Sequence, residues 1–503
     1  MEQLLTSLSI THYNIKKTIK MKKYLLLLSA VSALAIISCR KIETDGEKEI
    51  VYVNQGGGGG STGQTIILTG RIAEDITLKK ANTYILKGLV YLVGNKTMTV
   101  EAGTVIKGSF TGVDVAALII TRGSKINAIG TATEPIVFTT SSPNPQSGDW
   151  GGIILCGRAS INSTLNGKYG LFRVEGGVDN SFGDGLAGNG DAASPAAIDN
   201  DNSGTLSYVR IEYAGYAFEP DKEINSLTMA AVGSATTIDH VETYLAKDDA
   251  FEWFGGTVNC KYLVASKTQD DDFDTDNGYS GKVQFGLIIR DSVIADGSKS
   301  EAFESDNNAD GTTEGPKTSA VFCNVTAIGP RAVLSNVGNS NYLAGVQIRR
   351  NSAISIFNSV IMGWPIGILI DAGKGYATDK NIDDSTLRIR NTTIAGNTVD
   401  VKYVTNPVPT GASDASMLAW YNTPFYGNTI LSTSLATKLI QPFNYGAIDP
   451  TPTAGSNGYA PIVSGASFTD AKLAGGFFTI VNFRGAISPA GVESTWWKGW
   501  TRF

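Results

Sequence analysis

The sequence predicts an all-β protein built as a single-stranded parallel β-helix, and two recurring motifs support this fold class. The first is a phenylalanine followed by a carboxylate, at Phe251, Phe273 and Phe303, with a weaker copy at Phe218. The second is a short β-rich segment that precedes each copy, such as residues 239–243. Motifs that keep phase at a period of a few tens of residues are typical of a solenoid, in which each repeat contacts only its neighbours.

The β-rich segments define the predicted coils. They are rich in Val, Ile, Thr and Tyr and lie among stretches dense in Gly and Asn, which favours strands over helical repeats. If the coils stack in register, the four phenylalanines form an aromatic stack, and Asn358 and Asn391 can bond along a ladder. The central residues of the segments are Val209, Val241, Tyr262, Val293, Val325, Val360 and Thr393.

The chain is predicted to hold one long repeat domain behind an export signal. Residues 1–20 are interpreted as a misassigned upstream start, and residues 21–38 as a signal peptide, because a positive end precedes an apolar run too short to span a bilayer. The residues before Cys39 resemble a lipobox, which predicts lipidation of Cys39; the alternative is an ordinary secretory signal with an incidental cysteine. Residues 39–63 are charged and then glycine-rich, which predicts a flexible tether. The β-helix is expected over residues 64–480, with a loop insertion at 163–205 and an aromatic cap at 481–503.

Composition argues against several classes of function. The formal net charge is −6 at pH 7, which argues against nucleic acid as a partner. His12 lies upstream of the signal and His240 is the only other histidine, so zinc and histidine-based nucleophilic catalysis are poorly supported. Phosphate-binding and dinucleotide motifs are absent from the sequence, so no nucleotide cofactor is expected. Cys156, Cys260 and Cys323 are predicted to be buried free thiols.

Stacked coils would also align carboxylates. Neighbouring strands lie about 4.8 Å apart, so carboxylates at that spacing must protonate, pair with cations of the chain or bind a metal ion. Lys247, Lys299 and Arg331 are available for pairing, so a surface salt-bridge ladder and a cation site both remain open. The two predicted columns are Asp249, Asp271 and Glu301, and Glu252, Asp274 and Glu304.

Three loops strengthen the cation hypothesis. Each places oxygen-bearing side chains at alternate positions before a glycine turn, as in the first half of an EF-hand loop, although none has the distal glutamate of that loop. Plain Asp/Asn/Gly turns have a similar composition. The predicted calcium ligands are Asp199, Asp201 and Ser203, then Asp272, Asp274 and Asp276, then Asp306, Asn308 and Asp310.

In repeat length and in the position of its asparagines, the chain resembles the pectate-lyase-like superfamily of right-handed parallel β-helices. The phrases at 203–213 and 249–256 are similar to those of uncharacterised bacterial surface lipoproteins. The lyases of that superfamily use Ca²⁺ held by carboxylates and an arginine as base, so the resemblance implies Arg331 as base. Asp271, Asp274 and Glu304 are the carboxylates that such a lyase, or a glycoside hydrolase with paired carboxylates, would use.

We expect a cell-surface lipoprotein that acts as a binding or structural module, stabilised by Ca²⁺ and engaging glycans. Its partners would be the outer membrane, through Cys39, and a polysaccharide or another surface protein. Trp253 and Tyr279 are the predicted ligand-stacking residues. The alternative is a Ca²⁺-dependent polysaccharide lyase or a hydrolase. We favour binding over catalysis, because the columns repeat with nearly equal chemistry whereas an acid and a base need different environments.

Overall fold

The computed structural model describes residues 49–53, 63–190, 196–219, 222–453 and 462–503. The predicted upstream start, signal peptide, Cys39 and most of the tether lie outside the described residues. A parallel β-helix accounts for most of the described chain. Its strands, in chain order, are β1 (Glu49–Val53), β2 (Thr65–Ile72), β3 (Ile76–Leu78), β4 (Thr83–Leu92), β5 (Thr97–Val100), β6 (Val105–Gly108), β7 (Ala117–Ile120), β8 (Lys125–Ile129), β9 (Ile136–Thr140), β10 (Ile153–Cys156), β11 (Thr164–Leu165), β12 (Lys168–Tyr169), β13 (Leu171–Arg173), β14 (Leu186–Gly188), β15 (Gly204–Glu212), β16 (Ala217–Glu219), β17 (Lys222–Glu223), β18 (Leu227–Ala230), β19 (Thr237–Tyr244), β20 (Phe251–Phe254), β21 (Asn259–Ser266), β22 (Phe273–Asp276), β23 (Lys282–Ile289), β24 (Phe303–Ser305), β25 (Val321–Ile328), β26 (Ala344–Ile348), β27 (Ser355–Phe357), β28 (Val360–Met362), β29 (Ile366–Asp371), β30 (Arg388–Arg390), β31 (Thr393–Ala395), β32 (Val399–Val404), β33 (Thr429–Leu431), β34 (Leu439–Gln441) and β35 (Asp449–Pro452).

Three parallel sheets run along the solenoid. Sheet A contains β3, β5, β8, β27 and β30, with the first halves of β15, β19, β21, β23 and β25. Sheet B contains β6, β9, β28, β31 and β33, the first parts of β2 and β4, and the second halves of β15, β19, β21, β23 and β25. Sheet C begins with the ends of β2 and β4 and continues through β7, β10, β18, β20, β22, β24, β26, β29 and β32. The predicted parallel β-helix is confirmed.

Helices are few and short in the described chain. The α-helices are α1 (Lys380–Asp383) and α2 (Asp414–Tyr421), and the 3-10 helices are Gly112–Asp114, Pro424–Tyr426, Ser434–Thr437, Ala471–Leu473 and Val492–Ser494. Ser413 caps α2 with its side chain, as the sequence predicts. Met417 and Tyr421 of α2 are buried in the core next to the last coils, so this helix covers the C-terminal end of the solenoid. Helices long and apolar enough to cross a membrane do not occur in the described ranges.

A single left-handed residue turns the chain from sheet A to sheet B in each regular coil. That conformation is unfavourable for most side chains and is best tolerated by asparagine, which explains the equivalence of Asn358 and Asn391. Asn358 donates to Ser467 O at 3.0 Å, so it bonds the C-terminal segment as well as its own coils. The corner residues, with φ of 51° to 62°, are Tyr208, His240, Tyr262, Phe285, Asn324, Asn358 and Asn391.

One predicted strand centre is wrong. Val293 lies after β23 and is 69% exposed, whereas β23 itself supplies the strand that pairs with β21 and β25. Its residues 285–289 are buried without a break, and this burial decides the register. Cys260 therefore pairs with Val283, not with Asp291. The cysteines Cys156, Cys260 and Cys323 are nevertheless free and buried, as predicted.

The aromatic stack inside the solenoid is confirmed for three of its four predicted members. Phe251, Phe273 and Phe303 follow one another on β20, β22 and β24, with ring centroids 5.8 and 5.5 Å apart. Leu227 of β18 precedes Phe251 in this column. Phe218 lies instead on β16, in a two-stranded hairpin outside the three sheets, so the weaker motif there was a false match.

Two segments cover the outside of the sheets. Residues 462–503 pack on sheets A and B, where Trp496, Trp497 and Trp500 join a cluster with Val264 and Leu287. The predicted cap function of these tryptophans is wrong, because they cover the side of the solenoid rather than its end. The insertion forms two hairpins, β11–β12 and β13–β14, and packs on the outer face of sheet C.

Candidate cation site on the outer face of sheet C

Strand alternation places a row of carboxylates outside the core on β20, β22 and β24. The phenylalanine that begins each strand points inward and is fully buried, so the next side chain points outward. Glu252 pairs with Asp274, and Asp274 pairs with Glu304. This confirms one of the two predicted columns.

The second predicted column is also present, at the corner that precedes these strands. Asp271 N donates to Asp249 Oδ1 at 2.9 Å, and Glu301 N donates to Asp271 Oδ1 at 2.6 Å. Each carboxylate thus accepts a backbone hydrogen bond from the following coil. These bonds fix the side chains of successive coils above one another.

The two columns and their neighbours form three tight groups. Within each group, the possible ligand oxygens all lie within 4.8 Å of one another. The groups overlap along the solenoid, and we call their members together the acidic strip. They are Asp248, Asp249 and Asp270, then Asp249, Glu252 and Asp274, then Asp271, Glu301 and Glu304.

Burial and mutual repulsion both oppose ionisation of the strip. Burial and the neighbouring Asp248 raise the pKa of Asp249 well above its ordinary value, and burial and Glu301 do the same for Asp271. Burial followed by the charge of Asp306 raises the pKa of Asp274 to about 7. Removing a charge from water is costly unless an opposite charge compensates. The strip is therefore partly protonated at neutral pH unless a cation is bound.

Arginines neutralise only one end of this face. Arg349 pairs with Glu304 through Nη2 and with Asp306 through Nε, the latter at 2.8 Å. Arg350 pairs with Asp306 at 2.6 Å. The predicted ladder of lysines is not found: in the described chain no ion pair joins Lys247 or Lys299 to the strip, although the charge of Lys299 acts on Glu301.

Two carboxylate oxygens of the strip are buried without a hydrogen-bond partner from the described chain. They are Glu301 Oε1 and Asp274 Oδ1. Glu301 is only 1% exposed, so little solvent reaches it. A buried acceptor without a partner costs stability, and a bound cation would supply the missing partner. The donor set consists of carboxylate oxygens alone, which suits Ca²⁺ and excludes the nitrogen and sulfur ligands that zinc prefers.

The predicted lyase base lies elsewhere. Arg331 Nη1 donates to Thr398 at 2.7 Å, and the arginines whose charges act on Glu301 are Arg349 and Arg290. Arg349, one coil further along the chain, is the arginine that contacts the strip.

The first EF-hand-like loop does not gather its side chains around one point. Asp199 Oδ1 accepts hydrogen bonds from Ser160 N and Oγ at 2.9 and 2.7 Å. Asp201 is buried, and its Oδ2 accepts from Ser203 Oγ at 3.4 Å. These oxygens accept hydrogen bonds from groups of the protein, and the predicted ligation by Asp199, Asp201 and Ser203 stays a prediction.

The second loop divides its carboxylates among different partners. Asp272 forms a fully buried ion pair with Arg290, with Nε to Oδ2 at 2.7 Å. Asp276 accepts from Asn277 N and Nδ2 at 2.5 and 3.0 Å. Only Asp274 belongs to the acidic strip. Asp272 precedes strand β22 and Asp276 ends it, so the three side chains are spaced along a strand rather than gathered by a loop.

The third loop is likewise occupied by protein contacts. Asp306 is held by Arg349 and Arg350, Asn308 Oδ1 accepts from Thr312 N at 3.0 Å, and Asp310 pairs with Lys374 at 3.2 Å. The predicted ligation by Asp306, Asn308 and Asp310 stays a prediction. The plain-turn alternative describes Asn308 and Asp310 correctly.

The predicted ligand-stacking residues are core residues. Trp253 and Tyr279 are both fully buried, and their rings stack on each other at 5.3 Å. Neither ring has a face that a ligand could reach. Trp253 lies two residues after the inward-pointing Phe251, so the alternation of β20 already places it in the core.

Sequence reasoning missed Asp248 and Asp270 as members of the site, and it placed Arg349 one coil beyond the candidate base. The doubled and tripled aspartates at 248–249 and 270–272 were a visible signal, because a corner turns consecutive side chains toward one surface. Arg349 is separated from Glu304 by a long connection, so only the structure reveals their contact.

The fold and the acidic strip together define a β-helical protein with a carboxylate-lined face. Residues 70–427 match the family model described as a pectate-lyase-like β-helix domain. The chain belongs to this family. Among solved structures, it is similar to the A-module of the mannuronan C-5 epimerase AlgE6 from Azotobacter vinelandii, at 10% identity and a TM-score of 0.29, over 74% of this chain and 86% of that one. No curated protein matches the chain.

Proposed function

We propose that this protein binds Ca²⁺ at the acidic strip and uses the bound ion to hold a polysaccharide. The observation that carries the proposal is the set of three overlapping carboxylate groups, with ligand oxygens within 4.8 Å. The unpartnered Glu301 Oε1 supports it. Membership of the pectate-lyase-like β-helix family supports the glycan as partner. Solenoid surfaces commonly serve as extended binding faces, which suits a polymer.

Calcium fits the donor set better than magnesium does. Several adjacent carboxylates on a backbone fixed by hydrogen bonds can offer many oxygens to one ion, and Ca²⁺ accepts six to eight oxygens in adaptable geometry. Magnesium requires near-octahedral geometry and usually retains several waters. An ion on the strip that keeps open coordination positions can also accept oxygens from a carboxylate or hydroxyl of a sugar.

Binding suits the strip better than arginine-based elimination does. A general base must be able to release its proton near the working pH. Arg349 is the arginine at the strip, and the charges of Glu304 and Asp306 raise its pKa above the ordinary arginine value despite its burial. Arg349 therefore stays protonated, so it can neutralise charge or bind an anionic sugar but cannot serve as base.

Glycoside hydrolysis is the second candidate, and one observation favours it. The pKa of Asp274 is raised to about 7, so this carboxyl can act as an acid near neutral pH. Asp271 and Glu304 lie close by as possible partners. New reducing ends from a panel of neutral and acidic polysaccharides, lost in Asp274→Asn, would establish hydrolysis in place of binding.

Calcium titration of the purified protein tests the proposal. We expect calorimetry to detect Ca²⁺ binding, and Glu301→Gln to weaken it about tenfold or more. Glu134→Gln, which changes an exposed carboxylate outside the strip, is the matched control and should bind as the wild type does. Polysaccharide retention should then appear with Ca²⁺ and disappear with a chelator. Retention that persists in the chelator, with no calcium heat, would contradict the proposal.

We propose further that the protein is exported and anchored through Cys39 to the outer membrane, on the cell surface. The lipobox-like sequence and the glycine-rich stretch before the first described coil support this location. In Cys39→Ala we expect the protein to leave the membrane fraction, while Cys156→Ala should leave its location unchanged. A wild-type protein recovered in the soluble fraction with an unmodified Cys39 would contradict the anchor.

A further inference from the structure

A second cleft lies on the other side of the insertion from the acidic strip. It has a volume of about 390 Å³, within the range of small-ligand sites. The corners that follow β4 and β7 and the chain after β10 form one wall, and residues 182–184 and 189 of the insertion form the other. We call it the basic cleft, and the residues that line it include Arg71, Asn95, Arg122, Arg158, Phe182 and Asp184.

The charge of the cleft is opposite to that of the chain. Three arginines line it, whereas the whole protein carries a formal net charge of −6. Asp184 is the carboxylate among the lining residues, and Arg71 already binds it through two hydrogen bonds, at 2.7 and 3.2 Å. The charge of Arg158 is therefore not balanced by Asp184.

Arg158 has the greatest capacity to bind a ligand. Its guanidinium makes one hydrogen bond, from Nη2 to Arg122 O at 3.4 Å, and within the described ranges it has no ion pair. An arginine carries five N–H donors, so most of its donors are open to a ligand in the cleft. Asp201 is near enough to act on Arg158, but burial raises the pKa of that carboxyl and so weakens it as a competitor.

An aromatic ring stands beside these arginines. Phe182 is 58% exposed, so a ligand in the cleft can reach its ring. Arg71 lies over one face of the ring, with Cζ 4.0 Å from the centroid, and its bonds to Asp184 hold it there. The ring is thus fixed in place with the rest of its surface open. A flat, apolar surface beside the open donors of Arg158 fits a ring-shaped ligand that carries an oxyanion.

We propose that the basic cleft binds a sugar that bears a sulfate or carboxylate group. Arg158 holds the oxyanion through paired N–H groups, as guanidinium commonly does, and Phe182 packs against the sugar ring. The site is independent of the acidic strip, since it recognises charge of the opposite sign and requires no metal ion.

The test compares the binding of three sugars and one inorganic ion to the full chain. Excess EDTA is present so that no metal ion is bound at the acidic strip. Glucose 6-sulfate, glucuronate, glucose and sodium sulfate are titrated and followed by NMR. We expect one or both anionic sugars to bind, and glucose to bind at least tenfold more weakly. In Arg158→Gln the anionic sugar should lose about tenfold in affinity, which is about 1.4 kcal/mol. Arg158→Lys keeps the positive charge but not the paired N–H groups of the guanidinium, so its affinity should lie between those of the wild type and Arg158→Gln.

Phe182→Ala distinguishes the contribution of the aromatic ring to binding from that of the oxyanion contacts. It should weaken the anionic sugar about tenfold and leave inorganic sulfate unchanged. Lys168→Gln removes one exposed charge from the same insertion and should change neither. The proposal is overturned if no anionic sugar binds, if glucose binds as tightly, if Arg158→Gln has no effect in a folded variant, or if inorganic sulfate binds as tightly as the sugars do.

Discussion

Sheet C presents its outer face in two different ways on either side of the insertion. On β10 the outward positions hold Ile154 and Cys156, both fully buried. The same two positions, followed coil by coil through the register, hold Asp274 and Asp276 on β22. The backbone ladder is the same in both regions. The outward side chains alone determine whether the face is covered by protein or left for a ligand.

The insertion explains where one region ends and the other begins. Its Val174, Val178 and Ala187 pack on the apolar positions of the earlier coils, and Phe172 contacts Phe254 with ring centroids 4.8 Å apart. At its register position Phe254 ends the apolar run, because Asp276 follows it on β22. The comparison shows that the outer face is packed against apolar residues of the insertion in one half, whereas in the other half the buried outward side chains include carboxylates.

The largest expected effect comes from placing a carboxylate in the covered half. Ile154→Asp would bury a charge beneath the insertion without a partner, so we expect the free energy of unfolding to fall by about 3–5 kcal/mol. Urea denaturation followed by circular dichroism measures this. Val113→Asp, at a residue that is 98% exposed, is the control and should change stability by less than about 0.5 kcal/mol. A tolerated Ile154→Asp would mean that the insertion does not seal this face.

The uncovered half should make the metal-free protein sensitive to pH. Burial, reinforced by Asp296, raises the pKa of Asp270 to about 7, and that of Asp274 is also about 7, against an unfolded value near 4. A raised folded-state pKa gives stability that is full below pH 4 and is lost as the pH rises through 7. We expect a loss on the order of 2 kcal/mol over this range in EDTA.

Calcium should reverse this trend, because it binds the ionised strip. The check is a series of thermal melts between pH 4 and pH 8, with EDTA and with saturating Ca²⁺. A flat profile in EDTA would mean that the carboxylates are ionised and stabilised by other groups. Parallel profiles in EDTA and Ca²⁺ would mean that the ion does not bind the strip.

These effects show which parts of the molecule the sequence could predict. The Phe–carboxylate motif located the strip because an inward phenylalanine and an outward acid follow directly from strand alternation, and three strands repeat it. The motif failed at Phe218, where no coil register supports it. The β-rich segment motif failed at Val293, since such a segment has the same composition whether or not it packs on a core. The contact of Arg349 with Glu304 joins coils through a long connection, and local sequence carries no signal for it.

Neutralising one strip residue should change stability in opposite directions with and without calcium. Glu301→Gln removes a charge whose burial raises the pKa of this carboxyl, so we expect the metal-free protein to gain about 1 kcal/mol at pH 8. With saturating Ca²⁺ the variant should be less stable than the wild type, because it loses a ligand and therefore binding energy. Thermal melts of both proteins, in EDTA and in saturating Ca²⁺, measure the direction of each change in stability. Glu134→Gln should differ from the wild type by the same amount in both conditions, and a Glu301→Gln loss of equal size in both would indicate a purely structural role.

The smallest expected effect lies at the border between the two regions. Glu175 is an exposed residue of the insertion, yet its charge contributes to the raised pKa values of Glu252 and Asp274. Glu175→Gln should therefore lower those pKa values slightly and move the pH midpoint of the metal-free melts down by a few tenths of a pH unit. Calcium affinity should fall by less than about threefold, because an exposed charge acts through solvent and is screened by salt. Raising the salt concentration to about 1 M, where the Debye length is about 3 Å, should abolish the difference between Glu175→Gln and the wild type. A difference that survives high salt would mean that Glu175 contacts the bound ion directly, and the covered and uncovered halves of sheet C would then share one site.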